Sequence, residues 1–127
     1  MKYIVVTQKS IDQAAEDLEA AVVRNKFGVL HVHDLKAAMN KKGVDFPNEC
    51  RIFEVCNPFK ANAVLTSDMS LNMALPCRIS IWEEKGEIKI GTLEPTRLLA
   101  ALSDDDDLRS IAQEVENTIK TIIDEAK

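Results

Sequence analysis

Three thiols, two imidazoles and a run of aspartates are the residues with the chemistry to form a site. Cys56 stands at the head of "CNPFKANAVL", between a strand-like run and a helix start. Asn57 suits a helix cap, and Pro58 suits the first helical position, where its missing N–H costs nothing. Free amides and the helix dipole at such a start favour negative charge, so a Cys56 thiolate or a bound anion would be stabilised there. The alternative is plain packing, because cysteine buries as a small hydrophobe. Cys77, in "LPCRISIW", opens a strand and shares a face with Ile79 and Ile81, which favours the core. Cys56 alternates with Phe53 and Val55, which look like the core side. The two thiols are therefore expected on opposite faces of the sheet, which argues against a redox pair.

His31 and His33 lie two apart on a strand and point to one face. An H-x-H pair holds zinc or copper only with further ligands, and no cysteine or carboxylate completes a recognised spacing. No metal and no cofactor are expected. Ser103 to Asp107, "SDDDD", lacks the alternation, glycine and terminal glutamate of a calcium loop. These acids suit the start of the following helix. There is no phosphate-binding glycine loop and no G-x-S-x-G elbow. No motif assembles a catalytic set, so whether the chain is an enzyme stays open.

The elements that position these residues are legible from periodicity. Tyr3–Thr7 reads as a strand. Ser10 caps a helix with Gln13 three residues on, a capping-box pattern, and Ile11, Ala15, Leu18 and Val22 mark its buried stripe. The chain reversal after it is expected at Gly28. "FGVLHVH" is a second strand, so strand, helix and strand make an α/β unit and a mixed sheet. A short helix runs from its cap Asp34 towards Gly43, and "VDFPNEC" is a loop. "RIFEVC" is a third strand, and a helix follows it. Cys77 to Glu94 forms a hairpin turning at Lys85-Gly86. Arg78, Ser80 and Trp82 face away from Cys77. Pro95 opens a short helical segment, and Leu108, Ile111, Ala112, Val115, Ile119, Ile122 and Ala126 stripe the last helix.

The chain has 127 residues and a net charge of −5. This length suits one domain, residues 1–127. The charge argues against a nucleic-acid surface, which needs clustered Lys and Arg, and against anionic lipid. No apolar run is long enough to span a bilayer or to form a signal peptide. Three cysteines without a secretion signal do not form a disulfide framework, and a cytoplasmic location is expected.

Gly28-Val29-Leu30, Lys36, Cys56-Asn57-Pro58, Leu75-Pro76-Cys77, and Pro95 with Leu98 occur here in an order that resembles the bacterial and archaeal domain-of-unknown-function family 302, over nearly the whole chain. The resemblance implies an α+β fold with an antiparallel-rich mixed sheet and helices packed on one face. The type is TATA-binding-protein-like, β-α-β(4)-α, with an inserted short helix. It also implies a homodimer, and it supplies no activity, substrate or cofactor. The expectation is a small cytoplasmic homodimeric binding or interaction domain. Its partner is itself, and a small anionic ligand would sit near Cys56-Asn57-Pro58. The competing expectation is a thiol-dependent redox sensor or enzyme using Cys56, with or without Cys77.

Overall fold

A computed structural model describes all residues, Met1–Lys127. Five strands form one sheet: β1 (Lys2–Thr7), β2 (Gly28–Asp34), β3 (Cys50–Cys56), β4 (Cys77–Glu84) and β5 (Glu87–Leu93). Their spatial order is β1-β5-β4-β3-β2. Every neighbouring pair is antiparallel. The expected α+β architecture with helices on one face is present, but no parallel pair makes the sheet mixed. The physical reason is the path of the first unit. β1 and β2 run in the same direction at opposite edges, and helix α1 (Ile11–Arg24) carries the chain across the whole sheet between them.

Helices α1 and α5 (Asp106–Ala126) cover one face of the sheet. Phe53, Val55, Ile79, Ile81 and Ile90 point into that layer and are fully buried or nearly so. They meet Leu18 and Val22 of α1 and Ile119, Ile122 and Ile123 of α5. The strand alternation and both helical stripes therefore converge on one core, as their periods require. No helix is long and apolar enough to cross a membrane.

The helix ends show how local chemistry shapes the chain. Ser10 Oγ accepts the Gln13 N–H, but the Gln13 side chain donates to Asp17, so only half of the expected capping box forms. The reversal after α1 is not at Gly28, which already begins β2. It falls at Lys26, whose φ is +68°. The Lys26 N–H donates to the Val23 carbonyl and the Phe27 N–H to the Val22 carbonyl, a Schellman closure. Helix α2 (Leu35–Lys41) ends in the same closure, there with Gly43 at φ +83°. The β4–β5 turn uses Lys85 at +52° and Gly86 at +79°, the primed hairpin geometry expected for that pair.

Helix α5 is longer than the sheet is tall. Its second half packs on the strands, while Leu108 and Ala112 in its first half lie beyond the strand ends. There they meet Val64 of α3 (Pro58–Ser67), Leu71 of a 3-10 segment (Met69–Ala74) and Leu99 of α4 (Pro95–Ala100). The 3-10 segment was not expected from the residue pattern. The molecule thus has a main core on the sheet and a smaller one at the sheet's end.

Candidate functional site

Between these two cores lies a cleft of about 740 Å³. That volume falls within the ordinary range of small-molecule sites. Its floor is the end of the sheet, where β3 finishes at Cys56 and β4 starts at Cys77. Helix α3, the 3-10 segment, α4 and the first half of α5 form its walls. Nineteen of its twenty-six lining residues are hydrophobic. Leu30, Met73 and Leu102 line it and remain 63%, 84% and 53% exposed, so the rim is apolar as well.

Cys56, Asn57 and Cys77 all line this cleft. The strand register keeps the alternation read from the sequence: Cys77 pairs with Val55 on the core side, and Cys56 falls on the opposite pleat. The cleft nevertheless takes in both, because it wraps around the strand ends rather than lying against one face. Burial works against activation of the thiols. Burial pushes the Cys56 thiol up from its ordinary value. Burial, and next the nearby Cys56, push Cys77 up to about 11. All three cysteines are free.

The α3 start differs from expectation in a way that matters chemically. Its amides are not available. Asn57 Oδ1 accepts the N–H groups of Phe59 and Lys60, at 3.0 and 3.2 Å. The Ala61 N–H donates to the Asn57 carbonyl, and Pro58 has no N–H. The residue that caps the helix so well therefore removes the donors an anion would need. A negative group in this cleft would have to be met by side chains.

The lining supplies two such cations, Lys60 and Arg78, and no Asp or Glu. Lys60 pairs with Glu114. Arg78 is exposed and faces Glu54 across the β3–β4 pairing. Glu54, however, is engaged by His33, whose Nε2 lies 2.5 Å from Glu54 Oε1. That contact, with smaller contributions from Arg78 and His31, holds Glu54 below the usual carboxylate range. The His31 and His33 rings meet edge-on at 4.5 Å. No three His, Cys, Asp or Glu side chains are grouped to hold a metal ion.

One polar cluster anchors the cleft wall and escaped sequence reasoning. Glu116 of α5 is only 6% exposed. Its Oε1 accepts both the hydroxyl and the N–H of Thr96, at the start of α4. Lys120 donates to Glu116 and to Glu94, and Glu94 also pairs with the amino terminus of Met1. The only signal in the sequence was an acid within the apolar stripe of the last helix, beside Val115.

The sheet face opposite α1 and α5 has no covering layer. Ile4 and Val6 there are 46% and 43% exposed. The Trp82 ring packs onto Gly91, where a Cβ would stand 3.1 Å from Trp82 Cη2 and 3.0 Å from the Tyr3 carbonyl. Lys2, His31, His33 and Glu54 occupy the same face.

A half-covered antiparallel sheet with an apolar cleft at one end defines a small α+β domain. The chain belongs to the family described as Domain of unknown function DUF302, whose model matches residues 3–126. It is similar to a solved structure, the uncharacterized conserved protein DUF302 from Bacillus stearothermophilus. The two are 31% identical, the match covers 99% of this chain and 98% of that one, and the TM-score is 0.94. No curated protein matches the chain.

Proposed function

We propose that this protein is a cytoplasmic, homodimeric binding domain that holds a small molecule in the cleft beside Cys56 and Asn57. The carrying observation is the cleft itself, about 740 Å³ of mostly apolar space with a few polar groups at its edge. Such a composition is that of a small-molecule site, and no Asp, Glu or His lines it to act as a general acid or base. The blocked α3 amides shift recognition of any negative group to Lys60 and Arg78. Dimerisation is supported by the uncovered sheet face, where Ile4, Val6 and Trp82 would gain a partner's apolar surface in a two-fold arrangement. Free thiols suit a reducing compartment.

Two measurements test the proposal. A thermal-shift screen of small molecules should find ligands that raise the melting temperature of the native chain but not of Ala61→Trp, which fills the cleft. Light scattering should give a dimer that Ile4→Glu splits. A monomeric wild type would remove the homodimer from the proposal. The thiol-dependent alternative draws support from both cysteines lining one cleft, but burial raises both thiols and works against it.

A further inference from the structure

The charge of the cleft lining points to a ligand class. The chain carries 21 acidic and 16 basic residues, yet the cleft is lined by two cations and no acid. One of these, Arg78, stands on the uncovered-face pleat of β4 opposite Glu54, whose carboxylate bonds to His33 and is also lowered by Arg78, and Arg78 itself forms no ion pair. Much of the rest of the lining is branched aliphatic, Val64, Leu65, Leu71, Leu98 and Ile111 among it. An apolar interior with a guanidinium at the edge that forms no ion pair complements an amphiphile whose tail is hydrocarbon and whose head is anionic. A neutral apolar ligand would leave the Arg78 guanidinium without an ion-pair partner. A polar anion such as free phosphate would leave the interior unfilled and find no amide donors at α3.

We infer that the cleft binds a medium- to long-chain monocarboxylate, with the alkyl chain between α3 and α4/α5 and the carboxylate at Arg78, assisted by Lys60. This inference rests on the cleft being a ligand site, as proposed above. Each buried CH₂ should then strengthen binding about three- to fourfold. The carboxylate should add about tenfold over an uncharged head of the same chain.

Calorimetric titration of the full chain with decanoate, decanol, decyltrimethylammonium and octanoate, all below their micelle thresholds, tests it. Decanoate should bind about tenfold tighter than decanol and than octanoate, and the ammonium should bind weakest. Arg78→Gln, an exposed substitution, should move decanoate most of the way to the decanol value, the remainder being Lys60's, and leave decanol unchanged. Methyl NMR shifts on adding decanoate should centre on Ala61, Val64 and Leu98. If decanoate and decanol bind equally to the native chain, the head-group assignment falls while the cleft remains a ligand site. If none of the four binds, the cleft assignment itself falls with it. Shifts centred on Ile4 and Val6 instead would place the amphiphile on the sheet face and overturn the inference.

Discussion

Glu116 and Thr96 hold α4 against α5: the Thr96 hydroxyl donates to Glu116 Oε1 at 2.6 Å and the Thr96 N–H donates to the same oxygen at 3.1 Å. Helix α4 has no cap of its own, since the Glu94 side chain accepts no amide from it. A side chain twenty positions away supplies the missing acceptor. Glu116→Ala leaves the Thr96 donors unpaired and should destabilise the fold by about 1–3 kcal/mol in urea titrations. Glu116→Gln should cost less, because an amide oxygen still accepts.

The same cluster contributes to the acid sensitivity of the protein. Lys120 and the amino terminus hold Glu94 at about 2, well under the usual carboxylate value. Burial alone would raise Glu116, but the Thr96 hydroxyl and amide and Lys120 outweigh it and lower it. A depressed carboxylate contributes stability above its unfolded pKa and loses it as pH falls through the folded one. Stability should therefore be level above pH about 5 and decline from there towards pH about 2. Urea midpoints across pH 2–7 should show this slope, and Glu94→Gln should make it shallower, the other lowered carboxylates keeping the rest.

Lys26 and Gly43 close two helices with the same hydrogen bonds, but only one has the residue that suits the geometry. A side chain in the left-handed region costs about 1 kcal/mol. Lys26→Gly should stabilise the protein by a few tenths to about 1 kcal/mol, and Gly43→Ala should destabilise it by a similar amount. Denaturant midpoints that move the other way would mean that Lys26 has a native contact worth more than its strain.

Alkylation should separate packing thiols from reactive ones. Burial raises both cleft cysteines, so iodoacetamide should modify native Cys56 and Cys77 more slowly at pH 8 than a free thiol of pKa about 8.5. Cys77 should be the slower. Fast modification of Cys56 with an apparent pKa below that of a free thiol would favour thiol chemistry over ligand capture.

Gly91 is a packing requirement rather than a turn. Gly91→Ala would push a methyl into Trp82, Ile4 and the Tyr3 carbonyl and should cost about 1–3 kcal/mol. Trp82 fluorescence should report the displaced ring directly.

What could be read from the sequence was what depends on near neighbours. The alternation of Cys77, Ile79 and Ile81 gave the inward face of β4, Asn57-Pro58 gave the start of α3, and Lys85-Gly86 gave the hairpin turn. The cleft was not legible, because its walls come from segments between Phe27 and Val115 that only the fold brings together. Strand parity correctly separated Cys56 from Cys77, yet parity has no meaning past a strand's end. The Asn57 cap was legible too, but its consequence was not: a motif that implies free amides is also the motif that consumes them. "MSLNMA" alternates apolar and polar residues, the period of a strand, so its pattern pointed away from the 3-10 wall that it forms.

The strand order has a consequence for how the chain reaches this state. β1 hydrogen-bonds only to β5, with Lys2 opposite Leu93 and Thr7 opposite Ile88. The first strand made is therefore the last that can be placed, since its template lies some ninety residues downstream. During synthesis, Ile4 and Val6 must wait, unpaired, while the β4–β5 hairpin and its β3 neighbour assemble from local contacts. Such long-range closure is slow and leaves an apolar edge open to wrong partners. The first ribosome-bound intermediates should thus be the ones most in need of a chaperone, and the finished sheet is sealed from its centre outward.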